Sequence, residues 1–234
     1  MNPSAIGLVA GVLLAGLATG VVLDGSRAAA QGHNLEVIPI VGHWQHHTDG
    51  GESIVTVDAT KWDKKPASDP NSIARQLFTP HAAEASARFT VNASSAGAFP
   101  LAAVRNVETF SSGTARVQFK LIAGATDQLA GLVFNLRPNG EYLAVRYNTK
   151  DGNAALWKYV DGARARIADG TNHAQLPLGV WHTIELTVVD QRVTALVNGT
   201  LRVEHTLDQP VSGRVGFWAK PDSVSAFKGL RIQK

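Results

Sequence analysis

From about residue 85 to its end, this chain keeps to one pattern: short runs of alternating polar and apolar residues, broken by turn-forming residues at intervals of roughly eight to twelve positions. A period of two sends successive side chains to opposite faces of a strand. Strands that short, with turns that close together, bury their apolar faces only as an antiparallel sandwich or barrel. The runs are TARVQFKLIAG, AGLVFNLR and EYLAVRYN, then AALWKYV and ARARIA, then VWHTIELTVV, RVTALV and TLRVEHTL, and finally GRVGFWAK and FKGLRIQ. Between them stand Pro138-Asn139-Gly140, Lys150-Asp151-Gly152-Asn153, Asp161-Gly162, Asp190-Gln191 and Asn198-Gly199. Asn-Gly between alternating runs is the strongest short-range hairpin signal, because both central residues tolerate positive φ. After residue 30 no 3.6-residue apolar stripe exceeds about ten residues. The expected fold class is therefore all-β, an antiparallel sandwich or barrel with at most one short helix, near Ser72 to Leu77.

The same periodicity divides faces. Leu132, Phe134 and Leu136 share one side of their run, with Asn135 and Arg137 on the other; Leu143, Val145 and Tyr147 oppose Tyr142, Arg146 and Asn148. Ile184, Leu186 and Val188 point inward against Thr183, Glu185 and Thr187. Antiparallel sheets commonly wet one face, so the polar sets are expected in solvent. AALWKYV can be phased with either Leu156 or Trp157 inward.

The first thirty residues obey different rules. AIGLVAGVLLAGLATGVVL, from Ala5 to Leu23, carries no charge, and Ala28-Ala29-Ala30 gives a signal peptidase the small residues it needs. Residues 1–30 read as a signal peptide; residues 5–23 are also long enough to stay as a membrane anchor. Either way the body of the chain is expected to be exported, periplasmic or extracellular, with the membrane reached only through that segment. Residues 31–84 form an irregular N-terminal segment with early strands packing on the sandwich of residues 85–234. The absence of cysteine excludes disulfide scaffolds and thiolate chemistry. A net charge of +3, with no run of four basic residues among its 22 Lys and Arg, argues against nucleic acid as a partner.

The run WHTIELTVVDQRVTALVNGTLRVEHTLDQPVSGRVGFWAKPDSVSAFKGLRI, with a Trp opening a strand, a VNG hairpin and the strand GRVGFW, resembles the C-terminal half of concanavalin A-like jelly rolls. With AGLVFNLRPNGEYLAVRYNTKDGNAALWKY before it, it is most similar to the bacterial exported 3-keto-disaccharide hydrolase family, related to laminin G-like modules. The resemblance covers about residues 85 to 234. It implies a two-sheet antiparallel jelly-roll sandwich of the concanavalin A-like lectin/glucanase type whose curved sheet face holds sugars, and in some relatives cleaves oxidised glycosides. The E-x-D-x-x-E strand of the related family 16 glycosidases is missing from this sequence, which argues against a two-carboxylate glycosidase.

The expected partner is a carbohydrate or glycoside, and the expected site is the wet face of the middle sheet: Asn135, Arg137, Tyr142, Arg146 and Asn148, with Trp157 and Lys158 from the next strand. Amide and guanidinium groups bond sugar hydroxyls in pairs, and an aromatic ring stacks on a pyranose. The competing reading is a surface dressed for cross-strand pairing. Glycan binding without chemistry, hydrolysis or lysis of 3-keto-glycosides, and a structural envelope role without a small ligand are the three functions this leaves; no catalytic residue is assigned.

Other candidates carry a structural alternative each. His43, His46 and His47 in GHWQHHTDGGE suggest a metal. In an extended segment, however, His43 and His47 lie ~13 Å apart, and a lead-in whose Trp44 plugs the sandwich edge fits better. Asp127 and Asp222 could hold calcium or simply cap turns; no other cofactor is expected. Trp181 is expected in the core and His182 near an edge. His205, in phase with Leu201 and Val203, is expected to be a satisfied inward histidine, with a base role as the alternative.

Overall fold

In the computed structural model the described residues are 31–32, 35–95, 97–172 and 175–234; the expected signal segment lies outside them. The strands are β1 (Gln31–Gly32), β2 (Val37–Val41), β3 (Trp44–Asp49), β4 (Glu52–Asp58) and β5 (Leu101–Val104), with helices α1 (Pro70–Leu77) and α2 (Ala82–Ser94) between β4 and β5. Then follow β6 (Gly113–Ala123), β7 (Leu129–Leu136), β8 (Tyr142–Asn148), β9 (Asn153–Val160) and β10 (Ala163–Asn172). The last are β11 (Trp181–Val189), β12 (Arg192–Val197), β13 (Thr200–Thr206), β14 (Arg214–Trp218) and β15 (Val224–Gln233). They build two antiparallel sheets, β13-β12-β11-β6-β15-β4-β3 with β1 added to β15, and β10-β9-β8-β7-β14-β5-β2. The fold is the expected all-β jelly-roll sandwich. Segment 31–84 supplies β1 to β4, which enter both sheets, and α2 crosses the expected boundary at residue 84.

The expected turns close the hairpins. Asp161 and Gly162 sit at φ 50° and 76°, and Asn198 and Gly199 at 50° and 75°, the left-handed pair that a two-residue hairpin requires. Between the sheets lies a core of Phe119, Phe134, Tyr147, Phe217 and Phe227, with Leu132, Val145, Leu156, Ile184 and Leu186 around them. The rings of Phe217 and Phe227 stack at 4.4 Å across the two sheets. Leu156 faces this core, and Trp157 therefore the outside.

Part of the outer face of the seven-stranded sheet is not wet. A second apolar cluster seats Ile73, Ala74 and Leu77 of α1, and Ala85, Phe89 and Ala93 of α2, on Val133, Tyr142, Ala144, Tyr159 and Trp218. α1 is locally specified: Asp69 accepts from the N–H groups of Asn71 and Ser72, and Pro70 occupies the first turn. α2 is not. AAEASARFTVNAS presents mostly small side chains, and His81 makes no side-chain cap. Its helicity owes much to tertiary packing, and periodicity alone expected one helix where the described residues hold two α-helices.

Three orientation expectations are corrected. Asn135 takes φ 55°, and opposite it the β14–β7 register slips between Arg214 and Gly216, so one extra residue reverses parity. Leu132 and Phe134 stay inward, while Leu136 joins the outer cluster. Trp181 is not a core residue. The parity that turns Ile184 inward turns its even-numbered neighbour His182 inward too, leaving Trp181 outside under the ammonium groups of Lys120 and Lys228 at 4.5 and 4.7 Å. His182, 5% exposed, lies 3.0 Å from the Pro177 carbonyl and 3.1 Å from Asn198 Nδ2.

The GHWQHHTDGGE stretch is β3 and its turn into β4. Trp44 packs at the core's edge, 6.3 Å from Phe227, and donates to the Val41 carbonyl. His46 Nε2 is 2.9 Å from the Leu35 carbonyl and 2.6 Å from Ser53 Oγ. Among the described residues, no three His, Asp or Glu side chains converge on a point where an ion could sit.

Asp222 is a loop cap: its carboxylate accepts from the N–H groups of Ala125, Thr126 and Asp127. Burial pushes its carboxyl up, but these bonds outweigh burial and hold it below the ordinary value. A depressed carboxyl stabilises the fold above the unfolded value and ceases to as pH falls through the folded one. Asp222→Asn is expected to unfold at a lower temperature than the parent at neutral pH, and the gap should close below about pH 4. Melting curves across that range check this.

Candidate functional site

The seven expected site residues do not form one surface. Asn148 is 0% exposed: its Oδ1 accepts from Gln128 N and Lys150 N, and its Nδ2 donates to Asp127 Oδ1 and Asp151 Oδ2. Arg146, 4% exposed, gives Nη1 to the carbonyl and the side-chain oxygen of Asn153 and faces Asp151 at 3.7 Å. Burial holds its guanidinium below the ordinary value, with Asp151 and Asp127 acting the other way. Tyr142, 6% exposed, is stacked on Tyr159 at 4.8 Å under α2, and burial pushes its phenol far up. These three were expected in solvent. They are inside because α1 and α2 lie across part of their face, and because the 124–128 and 149–152 loops draw Asn148 into their own turns.

Asn135, Arg137 and Lys158 stand apart from Arg146 and Asn148, at the other end of the sandwich. There, with Tyr142, they line a cleft of about 460 Å³ with Glu141, Leu143, Ile167, His205, Asp208 and Gln209. The cleft lies where the two sheets end on the same flank, at edge strands β10 and β13. Along part of their length these edges meet backbone to backbone: a Cβ on Gly170 would lie 2.6 Å from the Arg202 carbonyl oxygen. Farther along they part, between Ile167 on one strand and His205 on the other.

Two of the cleft's polar groups serve the fold. Asn135 Oδ1 accepts from Ser212 N at 2.9 Å and from Arg137 Nε at 3.2 Å, and Arg137 also reaches the Pro210 carbonyl. Five others are uncommitted. The side chains of Glu141, Lys158, His205, Asp208 and Gln209 have no hydrogen bond or ion pair with another described residue. The cleft therefore offers carboxylates, an ammonium, an amide and an imidazole over an apolar floor of Leu143, Ile167 and Leu207.

His205 was expected to be satisfied inside. It shares its side with buried Val203, but β13 slips register beside Ala195, Leu201 turns to solvent, and the imidazole is left half-exposed at the cleft. Glu141, Asp208 and Gln209 were not anticipated. Glu141 follows the Pro138–Gly140 turn and Asp208 follows β13; the signal was that both are polar residues at the ends of segments assigned to strands, Glu141 opening EYLAVRYN and Asp208 next after TLRVEHTL. Trp157 is on the outer face between the guanidinium groups of Arg164 and Arg166, at 4.9 and 5.9 Å.

No protein-family model matches this sequence, and no protein of curated function matches it. Among solved structures the chain is similar to the carbohydrate binding module CBM66 from Bacillus subtilis, with a TM-score of 0.57 at 10% identity over 86% of this chain and 98% of that one. It is also similar to a protein of unknown function with galectin-like fold from Bacillus subtilis (TM-score 0.49, 14% identity, 87% and 97% covered). A third is a prokaryotic β-1,3-1,4-glucanase (lichenase) derived from a mouse hindgut metagenome (TM-score 0.43, 13% identity, 58% and 71% covered). The first likeness covers 86% of this chain and establishes the fold.

Proposed function

We propose that this is an exported carbohydrate-recognising β-sandwich protein that takes a short saccharide or glycoside in its end cleft, through Lys158, His205, Glu141, Asp208 and Gln209. The observation that carries the reading is that these side chains are left uncommitted around one cleft, whereas Arg146 and Asn148 spend their hydrogen bonds on the fold. A volume of about 460 Å³ falls in the usual range of ligand sites. The name of the binding module that shares the fold supports the ligand class.

A second reading has its own support. Glu141, Asp208 and His205 bring two carboxyl groups and an imidazole to one cleft, the groups that proton transfer at a glycosidic bond requires. On that reading the protein hydrolyses 3-keto-disaccharides or related glycosides. Calorimetric titration of the purified protein with glucosides and 3-keto-glucosides, with and without calcium, separates the readings when products are followed by mass spectrometry. Lys158→Ala and His205→Ala are expected to weaken affinity by about tenfold, about 1.4 kcal/mol, with the melting temperature nearly unchanged. Product formation that His205→Ala slows favours the hydrolase. Absence of saturable binding and of product overturns both, leaving a structural envelope role.

A further inference from the structure

Outside the cleft, cations and aromatic rings alternate along the outer face of the seven-stranded sheet beside the helices. Lys64 Nζ lies 5.9 Å from the Trp62 ring, and Trp62 lies 5.9 Å from Phe99. The Arg164 guanidinium is 4.1 Å from Phe99 and 4.9 Å from Trp157, whose ring is 5.9 Å from Arg166. Lys64 and Arg166 are exposed, and Trp62, Trp157 and Arg164 are half-buried.

We infer that this ladder is a binding surface for an acidic polysaccharide, a chain of sugar rings bearing carboxylates, separate from the end cleft and not dependent on its reading.

Arg164 is the central observation. Its guanidinium has two aromatic neighbours and no hydrogen bond or ion pair with any described residue, and Nη1 is buried without a partner, as is Trp157 Nε1. Burial holds this guanidinium below its ordinary value, while Tyr142 and Asp127 act weakly in the other direction. Nearby carboxylates are taken: Asp169 by Arg166 at 3.1 Å, Asp63 by Lys65 at 3.3 Å, and Asp127 by Lys220 at 2.9 Å. Arg164 and Lys64 thus remain as unneutralised charges, and what is missing is an acceptor. A carboxylate matches the guanidinium fork, accepting two parallel N–H bonds.

The same geometry selects among anions. Cations already lie over the rings, so bases would find little free aromatic surface, and a single-stranded nucleic acid loses its stacking platform. None of the exposed large aliphatic side chains, Val91, Ile122, Leu178, Val180, Val189 and Leu201, belongs to the ladder, so an anionic membrane has nothing apolar to receive. Cations spaced along a line suit a ligand with charges spaced along a line.

The test is titration of the full chain with hexuronate oligomers and with neutral hexose oligomers of equal length, read by tryptophan fluorescence and calorimetry at low and high salt. Hexuronates are expected to bind saturably and to weaken by about tenfold at high salt, whereas neutral oligomers, which the cleft can take, should show neither that salt dependence nor a loss in Arg164→Ala. Arg164→Ala should lose about tenfold in affinity, Arg164→Lys should recover only part of it, and Lys158→Ala in the cleft should change nothing. Should Arg164→Ala melt early, Lys64→Ala, on an exposed side chain, carries the same expectation. The inference is overturned if neutral oligomers lose as much affinity as hexuronates in Arg164→Ala, if single-stranded DNA or anionic vesicles bind as tightly, if the ladder variants bind hexuronates like the parent, or if Lys158→Ala abolishes the signal. The last result would assign hexuronate binding to the cleft.

Discussion

Asn148→Ala is expected to lower unfolding stability by about 3 kcal/mol and leave sugar affinity in the end cleft untouched, because a fully buried amide leaves two donors and two acceptors behind. Gln128 N and Lys150 N lose the acceptor that organises two turns, and Asp127 and Asp151 lose the donor between them. Those turns lie at the opposite end of β8 from Glu141 and the cleft, so the two measurements separate cleanly. Asn148→Asp should be worse at neutral pH, since it sets a third carboxylate where the amide now sits 2.8 Å from Asp127 and 2.9 Å from Asp151. Like charges and burial would raise the new carboxyl's folded value above its unfolded one, so the extra penalty should shrink as pH falls. Urea unfolding at neutral and acidic pH, with calorimetry on the folded proteins, reads both effects.

Gly216→Ala should be at least as damaging. Gly216 sits in β14 between Ala103 of β5 and Val133 of β7, and a Cβ there would lie 2.2 Å from the Ala102 carbonyl oxygen and 3.2 Å from Ala103 Cα. Both are backbone atoms of a hydrogen-bonded neighbour, so relief requires β5 to move away and β2 with it. A loss of about 3 kcal/mol or more, about 10 °C in melting temperature, is expected. Gly199→Ala is the control: nothing lies within 4 Å, and only the φ of 75° is strained, so a loss of about 1 kcal/mol is expected. Equal losses at the two positions would mean that β14 and β5 can separate freely.

Much of the sandwich was legible because a half-buried strand must alternate and a tight hairpin must place residues at positive φ. Asp161-Gly162 and Asn198-Gly199 turn where expected, and Leu143, Val145, Ile184 and Leu186 face the core. What failed has a common cause. Alternation says which side of a strand a residue is on, and nothing about what lies beyond that side. Arg146 and Tyr142 are on the expected side, yet loops and helices cover them. The stripe of α2, Ala85, Phe89 and Ala93, is two-thirds alanine, too weak an apolar signal to stand out from its small-residue surroundings. At Asn135 one added residue reversed the count for Leu136. Of the candidate site, Asn135, Arg137, Tyr142 and Lys158 were named from sequence, whereas Glu141, Asp208 and Gln209 required the three-dimensional meeting of β8, β9 and the exit from β13.

One pairing has a mechanical consequence. β1 runs antiparallel to β15, with Gln31 opposite Ile232 and Gly32 opposite Arg231. A force pulling Gln31 and Gln233 apart would thus act on adjacent strands at the same end, loading each rung in turn like the teeth of a zipper instead of shearing all together. Handled by those two positions, the protein should yield gradually at its seam while the rest of the sandwich is still intact.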